Sequence, residues 1–179
     1  MPPRAVLQAL DQIWAALEPL GLPMALMGGL ALSVWKHVRA TQDVDLLVGL
    51  GETPVDEVLA RATDCGFRPK HNPPTLLLGS FQVLQLEIEP EDSFIAVQVD
   101  LLLVDLAYHR EALDRRVRII LPQVEREICV LGCEDLVLHK LLAGRIIDLA
   151  DCAALLRANR DTLRPTRDEA FPGGDAAPV

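Results

Sequence analysis

The stretch Met27-Gly-Gly-Leu-Ala-Leu-Ser-Val-Trp-Lys-His-Val-Arg-Ala-Thr-Gln-Asp-Val-Asp-Leu-Leu-Val48 decides the fold. Met24-Ala-Leu-Met27 is a short apolar run that predicts a strand ending in Gly28-Gly29, and the spacing from Leu30 to Val38 predicts a helix. Two glycines between a strand and a helix let the backbone approach a ligand closely while the first helical amides point at it, which is an anion site. Fourteen residues after Gly29 comes Asp43, then Asp45, within a second strand marked by Val44, Leu46, Leu47 and Val48. Positions i and i+2 of a strand share a face about 6.5 Å apart, so both carboxylates look the same way while Val44 points into the core. Two acids held together repel unless a cation neutralises them. A pair of Mg²⁺ ions about 4 Å apart would do so while clamping the oxygens of a phosphoryl displacement.

Working outward, Gly49 and Gly51 end the second strand, and Pro54 to Ala62 is expected as a helix with Pro54 in its first turn. Asn72-Pro-Pro74 is a turn or edge loop. Thr75 to Leu86 and Phe94 to Val104 lack helical spacing and predict sheet strands joined by the turn Glu89-Pro-Glu-Asp92. Asp100 stands alone among aliphatic residues of the later strand, where a carboxylate is costly to bury without a partner. A metal or a basic side chain would supply one, so Asp100 is the expected third acid. Asp105 is the weaker candidate because it could equally cap the helix that follows.

Towards the N terminus, residues 5 to 18 put Val6, Leu7, Leu10, Ile13, Trp14 and Leu17 on one helical stripe, which Pro19 and Pro23 interrupt. Towards the C terminus the pattern predicts a helix over Tyr108 to Arg116, a β pair of Val117–Leu121 with Ile128–Leu131, and helices Glu134–Ala143 and Ile146–Ala158 separated by Gly144. The expected class is α+β: a mixed β-sheet core flanked by helices, with a C-terminal helical segment. Residues 1–160 are read as one domain, with its core over about 20–131 and the helical segment over about 133–158. Residues 161–179, rich in Pro, Gly, Asp and Ala, are expected to be a mobile tail.

Composition narrows the function. The chain has 179 residues, 50% of them hydrophobic, enough to fill one core. Its net charge of -9 argues against broad adhesion to nucleic acid, which needs clustered Lys and Arg. Cys65, Cys129, Cys133 and Cys152 include no C-x-x-C pair, and with no evident secretory leader they read as reduced thiols of a cytoplasmic protein. Cys129, Cys133 and His139 could be drawn as a zinc site, but their spacing fits no such pattern. No apolar run approaches the roughly 18 residues that span a bilayer, and no membrane association is expected.

Gly-Gly, a helix and Asp-x-Asp at this spacing, followed by a later strand with a single Asp, resembles the DNA polymerase beta nucleotidyltransferase superfamily. More narrowly, Gly28-Gly29, Arg39-x-Thr41-x-Asp43-x-Asp45 and Glu134-Asp-Leu-Val-Leu-His-Lys140-Leu-Leu-Ala-Gly-Arg145, with Asp148 and Asp151, look like the bacterial minimal, AbiEii-like nucleotidyltransferases. The likeness covers roughly residues 20 to 158. It implies transfer of a nucleoside monophosphate from an NTP, ATP among them, to a hydroxyl acceptor with release of pyrophosphate. The acceptor could be a protein side chain, a tRNA end or a small molecule such as an antibiotic. The implied roles put Gly28 and Gly29 on the triphosphate and Asp43, Asp45 and Asp100 on two Mg²⁺, with Asp100 also helping to activate the attacking hydroxyl. Many superfamily members carry Gly-Ser where this chain has Gly-Gly, and Ser33, one turn on, is the expected substitute. The likeness also implies a cognate toxin–antitoxin partner.

Other residues keep two readings. Arg39 and Thr41 either touch the ligand or only order the loop before the strand, Thr41 through local backbone hydrogen bonds. His37 reads as a loop residue rather than a base. Lys140 borders the apolar face made by Leu136, Val137, Leu141 and Leu142, and with Arg145 it either meets the triphosphate or stays solvated. Asp148 and Asp151 either hold Arg145 or Arg157 by ion pairs or reach the site. At the level of function, a catalytically silent nucleotide-binding or antitoxin-like interaction protein competes with the transferase, as does a metal-dependent phosphohydrolase.

Overall fold

The structure is a computed structural model that describes residues 3–78, 81–91, 93–104, 106–121, 124, 126–161 and 163. Helix α1 (Arg4–Leu17) runs into a 3-10 turn, Glu18–Leu20, where Pro19 ends the α pattern. Strand β1 (Met24–Met27) leads into helix α2 (Gly28–Val34), and strand β2 (Asp43–Val48) is followed by helix α3 (Val55–Asp64). A run of strands follows: β3 (Arg68–Pro69), β4 (Thr75–Leu78), β5 (Phe81–Ile88) and β6 (Val97–Leu103). Helix α4 (Ala107–Asp114), strands β7 (Val117–Leu121) and β8 (Arg126–Val130), and helices α5 (Cys133–Ala143) and α6 (Ile146–Ala158) complete the described chain.

All eight strands join one mixed sheet in the order β3-β5-β6-β2-β1-β8-β7, with β4 also pairing β5. The pairs β2–β6 and β1–β8 are parallel, and the others are antiparallel. This is the α+β architecture that the sequence pattern predicts.

Alternation along β2 sets the two faces. Val44, Leu46 and Val48 are wholly buried in the large cluster under α1 and α3, together with Val97, Val99, Leu101 and Leu103 of β6. On the other face Leu47 packs with Ala25, Ala112, Leu113 and Leu131 beneath α4. That helix covers only the C-terminal end of β2, leaving the face carrying Asp43 and Asp45 open at the N-terminal end.

Several expectations shift. Helix α2 takes both glycines into its first turn and stops at Val34, not Val38. The Trp35 indole N–H donates to the Leu131 carbonyl at 2.9 Å, Lys36 turns left-handed at φ 62°, and the chain leaves the helix there. Thr75 to Leu86 is a hairpin of two strands, β4 and β5, rather than one. Pro54 caps α3 from outside its first turn, and Leu7 is only half-buried while Ala9 and Ala16 join the core stripe. Asp92, Asp105 and the tail beyond Leu163 lie outside the described residues.

Candidate active site

Strand register builds the site. Met27 of β1 pairs Asp45 of β2, Asp45 pairs Asp100 of β6, and Asp100 pairs Gln85 of β5. These side chains form one row across four strands, on one face, because directly opposed residues in a ladder share a side. The row before it is Asp43, Gln98 and Glu87, and the row after it is Ala25, Leu47, Leu102 and Val83. Two polar rows thus give way to an apolar one where α4 packs. The carboxylate of Asp100 is on the same side of the sheet as those of Asp43 and Asp45.

A cavity of about 660 Å³ covers the two polar rows apart from Glu87, between the sheet, the loop before β2 and the α5–α6 pair. Of the residues singled out in the sequence, Gly28, Gly29, Arg39, Thr41, Asp43, Asp45, Asp100, Lys140 and Arg145 all line it. Ser33 does not: its hydroxyl donates to the Leu30 carbonyl at 2.7 Å, back along its own helix. The glycines are required for a reason other than ligand approach. Gly28 sits at φ 63°, and a Cβ there would overlap the Asp45 carboxylate, while a Cβ on Gly29 would overlap Thr41. Thr41 in turn donates its hydroxyl to Asp43 at 2.6 Å, so it orders the acid rather than the backbone.

The acids differ in environment. Burial, reinforced by Asp43 and Asp100 nearby, pushes Asp45 up to about 7, although Lys140 and Arg145 pull the other way. Burial also raises Asp100, against hydrogen bonds from two amides. Gln98 donates to both Asp100 oxygens at 2.9 Å, and Gln85 donates to one at 3.1 Å. Each amide is itself held from the segment after β3: the Gln98 carbonyl accepts from Lys70, and the Gln85 carbonyl oxygen lies 2.9 Å from His71 Nε2. Among the described residues no three His, Cys, Asp or Glu side chains already surround one ion-sized point.

Facing the sheet is a second buried charge cluster. Lys140 is 5% exposed and lies 2.9 Å from both Asp148 and Asp151. Asp148 also takes Arg145 at 2.6 Å, and Asp151 takes Arg39 at 3.2 Å and His37 at 3.1 Å. Burial works against ionisation of Asp148, but hydrogen bonds and charge from Arg145 and Lys140 outweigh it and hold the carboxyl at about 2. Asp151 is likewise burdened by burial and lowered on balance by Lys140, His37 and Arg39. The solvated reading of Lys140 fails, and Arg157 bonds the Ala153 carbonyl instead of either acid.

Sequence reasoning missed Gln85 and Gln98, since nothing marks a strand glutamine until register places it beside an acid. It also missed His139 as a cleft residue. The His139 Nδ1–H donates to the Asp135 carbonyl at 2.8 Å, and its buried Nε2 has no hydrogen-bond partner among the described residues. Burial lowers its pKa, and its ring stacks on His109 at 5.2 Å.

The same fold occurs in solved nucleotidyltransferases. The protein TM1012 of Thermotoga maritima, a provisionally assigned nucleotidyltransferase, superposes with a TM-score of 0.59 at 14% identity, over 88% of this chain and 96% of that one. An antigenic nucleotidyltransferase-like protein from Paracoccidioides brasiliensis gives 0.55 at 17% identity, over 85% and 76%. ANT(2")-Ia in complex with adenylyl-2"-tobramycin gives 0.55 at 15%, over 85% and 88%. At these identities the likeness shows the fold alone. The family is fixed by sequence: residues 8–172 match the profile described as nucleotidyl transferase AbiEii toxin, Type IV TA system, and the chain belongs to that family. It is therefore a nucleotidyltransferase by class. No curated protein matches it by sequence, and among the described residues no helix is long and apolar enough to cross a membrane.

Proposed function

We propose that the chain transfers a nucleoside monophosphate from an NTP to a hydroxyl acceptor, using Asp43, Asp45 and Asp100 as the ligands of Mg²⁺. The observation that supports this best is the register pairing of Asp45 with Asp100 on parallel strands, with Asp43 on the same face and Gly28 directly against Asp45. The donor set fits the ion: the three acids are hard oxygen ligands on one face of the sheet, and a cation between them would offset the burial and like charge that work against an ionised Asp45. When bound, Mg²⁺ would neutralise these carboxylates and the phosphate oxygens brought against them.

The chain's own residues divide the remaining work. Gly28 and Gly29 let Asp45 and Thr41 pack directly against the start of α2, and both glycines line the cleft, where their backbone would meet the triphosphate. Arg145, 70% exposed, and Arg39, 29% exposed, are the cations that can turn to the triphosphate. Lys140 is committed to two carboxylates and acts on the cleft through its charge, not by direct contact. Asp100, oriented by Gln85 and Gln98, takes the proton of the attacking hydroxyl. As a member of a toxin–antitoxin family the chain would also meet a cognate antitoxin.

The second reading is a catalytically silent nucleotide-binding or antitoxin-like protein, and one observation favours it: the described acids converge on the cleft without closing around a single ion position. Incubation with each α-labelled NTP and Mg²⁺ separates the readings. Transfer of label with pyrophosphate release supports the enzyme, NTP binding without release supports the silent protein, and release of free nucleotide with no acceptor supports a phosphohydrolase.

A further inference from the structure

The polar face of the sheet extends beyond the acidic cleft. Past the row of Asp43, Gln98 and Glu87 lies a second cavity of about 530 Å³. It shares Gln42, Asp43 and Gln98 with the acidic cleft, so the two spaces meet where β2 and β6 begin. Its exposed apolar lining includes Ile95 and Ala96 on the approach to β6; Val6 and Val97 border it from the core under α1 and are themselves buried. Besides Asp43 its charged residues are Lys70 and Glu87. The nucleotide reading leaves this space unused, because the glycines, Arg39 and Arg145 that would receive the triphosphate line only the other cavity.

We propose that this second cavity is the acceptor pocket, and that it takes a small hydroxyl compound with an apolar body and little net charge rather than a polynucleotide. The proposal rests on the nucleotidyl-transfer reading above and adds the substrate class to it. Size agrees, since a volume of this order suits a drug-sized molecule, for which pockets run about 300–1,000 Å³. Charge agrees as well. With Asp43 given to the metal, Glu87 and Lys70 remain; a single lysine cannot gather a phosphodiester backbone, which is held by several clustered cations, whereas that acid and ammonium together offer a neutral hydroxyl both an acceptor and a donor.

Position carries the most weight. Gln98 stands in the wall common to both cavities, its carbonyl accepting from Lys70 and its amide donating to both oxygens of Asp100. A hydroxyl compound seated in the second cavity would therefore extend past Gln98 into the cleft in which Asp100 stands. In the transfer the acceptor oxygen bonds the α-phosphorus, and the bond from that phosphorus to the oxygen bridging the β-phosphate breaks. Pyrophosphate leaves with that electron pair, and the hydroxyl proton passes to the Asp100 carboxylate.

The test fills the pocket from its rim. Ala96 is exposed and Ile95 is 73% exposed, so Ala96→Trp and Ile95→Glu should fold. Wild type and both variants are given α-labelled NTPs and Mg²⁺, with octyl glucoside as one acceptor probe and total tRNA as the other. The expected result is label on the glucoside by wild type and a loss of at least about tenfold in each variant, the scale of one obstructed apolar contact. NTP binding by equilibrium dialysis should be unchanged. NTP binding without label on the glucoside overturns the pocket assignment, whether or not tRNA is labelled, and so does a tryptophan variant that labels it as well as wild type. If wild type binds no NTP in the presence of Mg²⁺, the nucleotidyl-transfer reading fails first, and the two failures are thereby told apart.

Discussion

Two sets of aspartates face each other across one cleft, and they are balanced in opposite ways. On the sheet, Asp43 and Asp100 are held by neutral donors, Thr41, Gln85 and Gln98, and Asp45 is pushed up to about 7 by burial beside two other acids. On the helices, Asp148 and Asp151 are buried at 0% and 1% exposure, yet cations surround them and hold both below the usual carboxylate range. Depth of burial does not decide the fate of a carboxylate here; the sign of its neighbours does. The helix cluster is closed by its own lysine and arginines. On the proposed reading the sheet acids would draw the rest of their counter-charge from solution, and that asymmetry would separate a mainly structural side of the cleft from a reactive one.

The largest expected effect tests the reactive half. Asp43→Ala should lower metal-dependent nucleotidyl transfer by about a thousandfold or more, roughly 4 kcal/mol of barrier. Its urea midpoint should not fall, because one of three repelling acids is gone. Transfer at wild-type rate in this variant would falsify the assignment of the acids.

Lys140 tests the other half. Lys140→Met keeps the volume but strips Asp148 and Asp151 of their shared buried cation, and loss of one partner from a buried ion pair costs about 3–5 kcal/mol. Arg145, Arg39 and His37 still reach the two acids, so the lower end of that range is expected in urea unfolding. An unchanged midpoint would mean that the cluster does not hold the loop before β2 to α6.

How much of this contrast could be read in advance follows from the range of the interactions. Asp43 and Asp45 were legible because a strand has a fixed period of two, and Asp100 because a lone acid in an aliphatic strand demands a partner. The pairing of Asp45 with Asp100 was not, since it depends on the parallel register of strands about fifty residues apart. The amides of Gln85 and Gln98 became visible only with that register. Lys140 kept two readings, on the triphosphate or solvated, and its pairing with two acids was in neither, because they sit on the next helix and the α5–α6 packing is not written in helical spacing. Helix α2 ended early for a similar reason: Trp35 is anchored to Leu131, far along the chain.

Asp45 sharpens the comparison by pH. Its folded value, about 7, lies above the ordinary 3.8, so the folded protein binds a proton that the unfolded chain does not. The penalty for an ionised Asp45 is complete above about 7 and fades as pH falls towards 3.8. Metal-free protein should therefore gain stability on acidification from pH 8 to 5, by about 2 kcal/mol. Asp148 carries the opposite sign: its contribution is present above 3.8 and is lost as pH falls towards about 2. Melting temperature should thus pass through a maximum in mildly acid solution. Mg²⁺ should flatten the rise, because ion and proton compete for the same carboxylates, and Asp45→Asn should remove it. A melting temperature that falls steadily from pH 8 to 5 without metal would contradict the environment assigned to Asp45.

The smallest effect is expected at Ser33, where the two halves of the cleft have no claim. Its hydroxyl is spent on the Leu30 carbonyl within α2, and the side chain does not line the cavity. Such back-bonding is nearly neutral in a helix, and alanine has the better helical propensity, so Ser33→Ala should shift stability by less than about 0.5 kcal/mol. KM for NTP and kcat should both stay at wild-type values. A rise in KM with kcat unchanged would show that the serine does reach a phosphate in the loaded enzyme. The helix start would then have to rearrange on binding, and the role of the glycines would extend beyond making room for Asp45 and Thr41.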